Sequence, residues 1–185
     1  MNQANMEKAK KAEDLFMKYL NKENIPFYRI DQNIESQSEI YKENNIRRPD
    51  FLINTKNGNY YIDVKYREDK DKLDKNRFHI DQEKIIKLYQ FHKEIKQEVW
   101  IAFTDNQDDP EFYFTPITGV YDYYKKIEKL YEEKKYEKFD KVWIHIPDSL
   151  LFEQLTLDRG IFNENDIDYN EDVEYHKEIA VTFIN

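Results

Sequence analysis

Cysteine is absent from the 185-residue chain, which excludes disulfides, Cys-ligated zinc, iron–sulfur clusters and thiol nucleophiles. Only three glycines occur, Gly58, Gly119 and Gly160. They are too few and too scattered for a phosphate-cradling loop or a dinucleotide-binding fingerprint. The four histidines, His79, His92, His145 and His176, stand apart from one another without metal-ligand spacing. No apolar run approaches the ~20 residues that a membrane span needs. The opening MNQANMEKAKKAEDLF carries no apolar stretch and no cleavage site of the kind a signal peptide has. These absences lead to the expectation of a cytoplasmic protein with no membrane partner.

Charge is abundant but unevenly placed. The net charge is −9, whereas free-standing nucleic-acid binders are usually basic. Residues 148–185 hold ten acidic and two basic side chains, so this segment carries −8 and residues 1–147 only −1. The body of the chain is nearly neutral, and the acidity belongs to its last stretch.

Hydrophobic spacing predicts the elements. Ala9, Ala12, Leu15, Phe16, Tyr19 and Leu20 recur at helical spacing from Met6 to about Asn21. FYRI (27–30) reads as a first strand, and the polar residues 31–46 as irregular. RRPDFLIN (47–54) and YYIDVKYR (60–67) are extended runs around a turn centred on Asn57-Gly58, a strong hairpin signal. In the second run Tyr61, Asp63 and Lys65 share one face, and Tyr60, Ile62 and Val64 the other. After a charged stretch, Asp81 caps a helix to about Lys96. VWIAFT (99–104) and EFYFTPI (111–117) follow as neighbouring strands, then a helix from about Val120 to Lys135 and a strand KVWIHIP (141–147). A short helix at 148–155 and a closing strand EIAVTFI (178–184) complete the reading. The order predicts one α/β domain over 1–185, a central mixed sheet flanked by helices, with an acidic extension from about 148.

The chemistry concentrates at Pro49-Asp50, the hairpin, and Asp63-Val64-Lys65. Strand alternation brings Asp50 and Asp63 side by side at one end of the hairpin, with Lys65 two residues along the same face. Converging carboxylates with no basic partner between them repel unless a cation lies there. Oxygen ligands with water positions left open suit Mg²⁺ or Mn²⁺. A neighbouring lysine can hold a phosphate oxygen or orient a metal-bound water. The plainer alternative makes Asp50 a turn cap, and Asp63 and Lys65 an ion pair on a solvated strand.

In their order and their thirteen-residue separation, Pro49-Asp50 and Asp63-Val64-Lys65 resemble the signature of the PD-(D/E)XK nuclease superfamily, which includes restriction endonucleases and archaeal-type Holliday-junction resolvases. Ala12-Glu13 on the opening helix matches the place where many members carry a further acidic ligand. The resemblance covers roughly residues 9–117. It implies a restriction-endonuclease-like fold and a divalent-metal-dependent nuclease, most simply a DNA endonuclease. It assigns Asp50 and Asp63 as metal ligands, the Val64 carbonyl as a further ligand, Glu13 as a third carboxylate acting directly or through water, and Lys65 as the water-orienting base. Small members of this class work as dimers or as the cutting subunit of larger systems, so a homodimer or a partner protein is expected. Arg47, Arg48 and Arg67, with Gln82 and Lys84 on the following helix, are the candidate nucleic-acid contacts. The alternative function is a retired nuclease-like fold serving as a protein-binding or assembly module.

Overall fold

The computed structural model describes residues 3–55, 58–66, 78–104, 112–133 and 143–146. The opening helix, α1 (Gln3–Lys22), forms where the apolar spacing places it. Ala12, Phe16 and Leu20, four residues apart, are buried along one face. Strand β1 (Phe27–Arg29) follows. The polar segment after it is more ordered than its composition suggests, with a 3-10 turn at Ile34–Ser36 and a short helix α2 (Glu39–Glu43). Neither is long enough to show a hydrophobic period, so the sequence reading leaves both as irregular chain.

Strands β2 (Phe51–Thr55) and β3 (Gly58–Tyr66) form the expected hairpin. Thr55 stands opposite Gly58, and residues 56 and 57, on which the expected turn partly falls, lie outside the described residues. Gly58 itself opens β3 at φ +139, and a Cβ added there would meet nothing within 4 Å. Backbone conformation, not crowding, therefore favours glycine.

Strand β4 (His79–Asp81) leads directly into α3 (Gln82–Ile95). The Asp81 side chain accepts the Glu83 N–H at the helix start, 2.9 Å away, as expected of an N-cap. β5 (Val99–Thr104), β6 (Tyr113–Pro116), α4 (Ile117–Glu133) and β7 (Trp143–His145) complete the order. The main sheet runs β1-β2-β3-β5-β6, with β3 and β5 parallel and the other pairs antiparallel. A parallel pair needs a long crossover, and α3 lies within it. The architecture is thus a mixed five-stranded sheet flanked by helices, the fold class expected from the sequence. The strand expected at 141–147 does not join this sheet. Its β7 portion pairs with β4 in a separate two-stranded ribbon, and β4 is too short for any sequence period to announce it.

Two cores sit on either side of the sheet. One joins α1 to Phe51, Ile53, Ile62, Val64 and Phe114, and the other joins α3 and α4 to Val99, Ile101 and Phe103. Alternation along β3 divides its side chains between them. No helix among the described residues is long and apolar enough to cross a membrane.

Phe16 is the ring at the centre of the first core, 5.4 Å from Phe51 and 5.0 Å from Phe112 between centroids, with no exposed surface. Phe16→Ala is expected to cost about 3–5 kcal/mol of stability, read as a lowered urea midpoint with an unchanged slope.

Candidate active site

The site begins where the β2–β3 ladder fails. Pro49 precedes β2 and has no N–H to contribute. The Asp50 N–H donates to the Ile62 carbonyl at 2.9 Å, although the register partner of Ile62 is Phe51. Two residues of one strand thus face one residue of the other, the pattern of a β-bulge, which bends a strand and re-aims side chains. Beyond it β3 continues along β5 as far as Tyr66 opposite Thr104. On its other side, the Val64 N–H donates to the Asp50 side chain (Oδ2) at 2.7 Å. Asp50 thereby takes the place of the missing ladder acceptor. Its carboxylate sits on the very peptide that joins Asp63 to Val64.

Asp63 has no exposed surface, and Asp50 and Lys65 are 3% and 6% exposed. A carboxylate buried this completely needs positive charge or several hydrogen bonds. Lys65 Nζ donates to Asp63 Oδ2, and Arg47 Nε donates to Asp63 Oδ1 at 3.2 Å. From the sequence, two acids converge with no basic partner between them. The structure gives Asp63 two, because Arg47 enters from the segment after α2, which spacing along β3 does not reveal. The Asp63–Lys65 pair of the plainer reading exists, but in the interior and not on a solvated strand. Lys65 Nζ also donates to the Val64 carbonyl at 3.2 Å. An ammonium therefore rests on the carboxylate and the main-chain oxygen that the resemblance assigns to a metal.

Glu13 reaches the same end of the sheet from α1. Arg29 Nη2 donates to its Oε2 at 2.5 Å. Burial pushes the Glu13 carboxyl above its usual range, the nearby charge of Asp50 adds to this, and Arg29 and Lys65 oppose it. Glu13, Asp50 and Lys65 are thus close enough to feel one another. Arg29 was missed by the sequence reading. The signal was there, since alternation from the inward Phe27 puts Arg29 on the α1 side of β1. Among the described residues, no three His, Cys, Asp or Glu side chains gather as a ready-made cage.

The other candidates are dispersed. Arg48 uses its guanidinium on the 3-10 turn: Nη2 donates to the Asn33 carbonyl at 2.8 Å, and both Nη atoms donate to Ser36 Oγ at 3.1 Å. In this structure it braces the 33–36 turn. Gln82 donates to the Tyr124 hydroxyl at 2.8 Å, which in turn donates to Glu128. Burial and that carboxylate push the Tyr124 hydroxyl up to about 12, so Gln82 ties α3 to α4. Lys84 lines a surface groove with Arg47. Arg67 and the whole acidic segment from 148 lie outside the described residues, as do the helix and closing strand expected there.

Two outcomes follow from this geometry. In a double-mutant cycle, Asp63→Asn and Lys65→Met are expected to couple by roughly 1–3 kcal/mol, measured by urea unfolding in a chelator. Arg48→Ala is expected to speed amide hydrogen exchange across residues 33–43 while leaving β3 and β5 protected, because the brace and not the sheet is removed.

No family model matches the chain, and no curated protein matches it in sequence. Among solved structures, it is similar to that of Archaeoglobus fulgidus Hjc, described as a Holliday junction resolvase from an archaeal hyperthermophile. The TM-score is 0.45 at 15% identity, over 76% of this chain and 89% of that one.

Proposed function

We propose that the chain is a divalent-metal-dependent nuclease of the restriction-endonuclease-like, PD-(D/E)XK class, acting in the cytoplasm as an endonuclease on DNA. The observation that supports this most directly is the Val64 N–H to Asp50 Oδ2 hydrogen bond at the bulge. It unites Asp50, Asp63 and Lys65 at the point where β3 leaves β2. Lys65 Nζ, lying on Asp63 Oδ2 and the Val64 carbonyl, serves as a stand-in cation, and that donor set fits Mg²⁺ or Mn²⁺. Few protein ligands are needed, since Mg²⁺ keeps several of its waters.

Asp50, Asp63 and the Val64 carbonyl would hold the metal, with Glu13 reaching it directly or through water. Bound there, the metal would supply Lewis-acid charge and a more acidic water. The protein side of the chemistry falls to the cations. Lys65, drawn off Asp63 when other positive charge balances that carboxylate, would orient a water or hold a phosphate oxygen as an ammonium, and would take a proton from the water only after giving up its own. Arg47, whose side chain is 36% exposed and lies against Asp63, is placed to meet a phosphate oxygen. Arg29 holds Glu13 in position.

A second reading draws on the same ion pairs. Asp63 is satisfied on both oxygens by Lys65 and Arg47, as it would be in a nuclease-like fold retained as a protein-binding or assembly module. Incubation with plasmid and single-stranded DNA, with Mg²⁺ and with EDTA, separates the two. The nuclease reading expects Mg²⁺-dependent cutting that Asp63→Ala abolishes. Lys65→Ala should retain Mg²⁺ binding by calorimetry while turnover falls about 10²–10⁴-fold. Cutting that survives Asp63→Ala, or a parent protein inert on every substrate and blind to Mg²⁺, would refute it.

A further inference from the structure

A groove of about 360 Å³ opens beside the acid pair, between the 34–47 segment and the first turns of α3. We infer that it is a subsite for a single unstacked nucleotide of the substrate strand, next to the phosphate that is cut. The inference rests on the nuclease reading for its setting but on separate residues for its content.

Volume is the first argument. Small-molecule sites run from about 300 to 1,000 Å³, so this groove sits at the lower end and suits one nucleotide and not a duplex. Lining chemistry is the second. Ile34 and Tyr41 give the groove an apolar and aromatic side, and Gln37 and Asn45 bring amide groups. An unstacked base needs this combination, a surface to cover its ring and donors or acceptors for its edge. Ile34 is 65% exposed, apolar surface that a base would cover. Tyr41 is held by an edge-on contact with Phe91, 5.7 Å between centroids, which makes its ring a fixed surface.

Charge is the third argument. Lys42, Arg47, Lys84 and Lys87 line the groove against two acids, Asp81 and Glu83. Most of these charges are engaged locally: Asp81 caps α3, Glu83 pairs with Lys87 at 2.5 Å, Lys42 pairs with Glu39 at 2.8 Å, and Arg47 lies on Asp63. The lining still holds four basic side chains to two acidic ones, in a chain of net charge −9, and basic side chains suit a phosphodiester strand. Arg47 makes the connection: it lines the groove, and its Nε lies 3.2 Å from Asp63 Oδ1. A nucleotide seated there is one side chain away from the acid centre. Arg48, by bracing the 33–36 turn, positions one wall.

The test reads binding apart from cutting. With EDTA present, a fluorescein-labelled 12-nucleotide single strand is titrated with the parent, Ile34→Asp and Lys84→Glu proteins. Each substitution is expected to raise Kd by ~10-fold. The melting temperature of Ile34→Asp should be unchanged, since Ile34 is outside both cores. In parallel, a deoxynucleoside 5′-monophosphate is titrated into ¹⁵N-labelled protein, and the Gln37 and Asn45 side-chain amide resonances should shift first. Unchanged Kd in both variants, or nucleotide-induced shifts confined to other regions, would overturn the subsite. If cutting depends on Asp63 while the groove is silent, the subsite alone fails. If the groove binds the nucleotide but no cutting occurs, the nuclease reading fails and takes the place beside a cut phosphate with it, while nucleotide binding by the groove stands.

Discussion

The carboxylate of Asp63, buried without any exposed surface, is the constraint around which this end of the molecule is organised. Moving such a charge out of water costs several kcal/mol even after the protein relaxes, so positive charge must be delivered to it. Lys65 comes from the same face of β3, two residues on. Arg47 comes from a different part of the chain, carried in by α2 and the turn that Arg48 braces. Removing either cation leaves Asp63 short of the charge that makes its burial tolerable. The 31–48 segment is thus tied to the acid pair as well as wrapped around the sheet.

The broken ladder explains why the charge is there at all. Had β2 continued to pair with β3, the Val64 N–H would be taken by a backbone carbonyl and the strands would leave no room for side-chain chemistry. Pro49 and the bulge at Asp50 end the pairing early, while β5 keeps β3 straight on its other side. Peptide groups freed in this way must find partners. Asp50 supplies one to Val64, and Lys65 supplies another to the Val64 carbonyl. A rigid sheet edge then presents carboxylates, a main-chain oxygen and an ammonium in one place, with α1 adding Glu13 from the opposite core.

Most of the scaffold was legible because its elements are long enough to show a period. α1, α3, β2, β3 and β5 follow from apolar spacing, from the Asp81 cap and from the hairpin signal. The short pieces were not legible: the 3-10 turn at 34–36, α2 and β4 span three to five residues, less than two turns of helix or enough alternation to recognise. They are also the pieces that build the groove and the second ribbon. Arg48 shows the related difficulty with single side chains. Beside Pro49-Asp50 it reads as a group facing substrate, yet the carbonyl of Asn33 and the hydroxyl of Ser36 claim it.

By itself, the sequence determined which residues could form the acid centre. Alternation puts Asp63 and Lys65 on one face of β3, and the hairpin brings Asp50 alongside, both of them local consequences of chain geometry. Only the tertiary structure decided their electrostatic state. Whether Asp63 would be exposed or buried, and whether a cation would reach it, depended on the packing of α1, α3 and the 31–48 segment around the sheet. Those contacts join residues far apart in the chain, such as Arg47 with Asp63 and Glu13 with Arg29. Spacing along one strand carries no information about them, because charge pairing across a fold follows from how its elements dock.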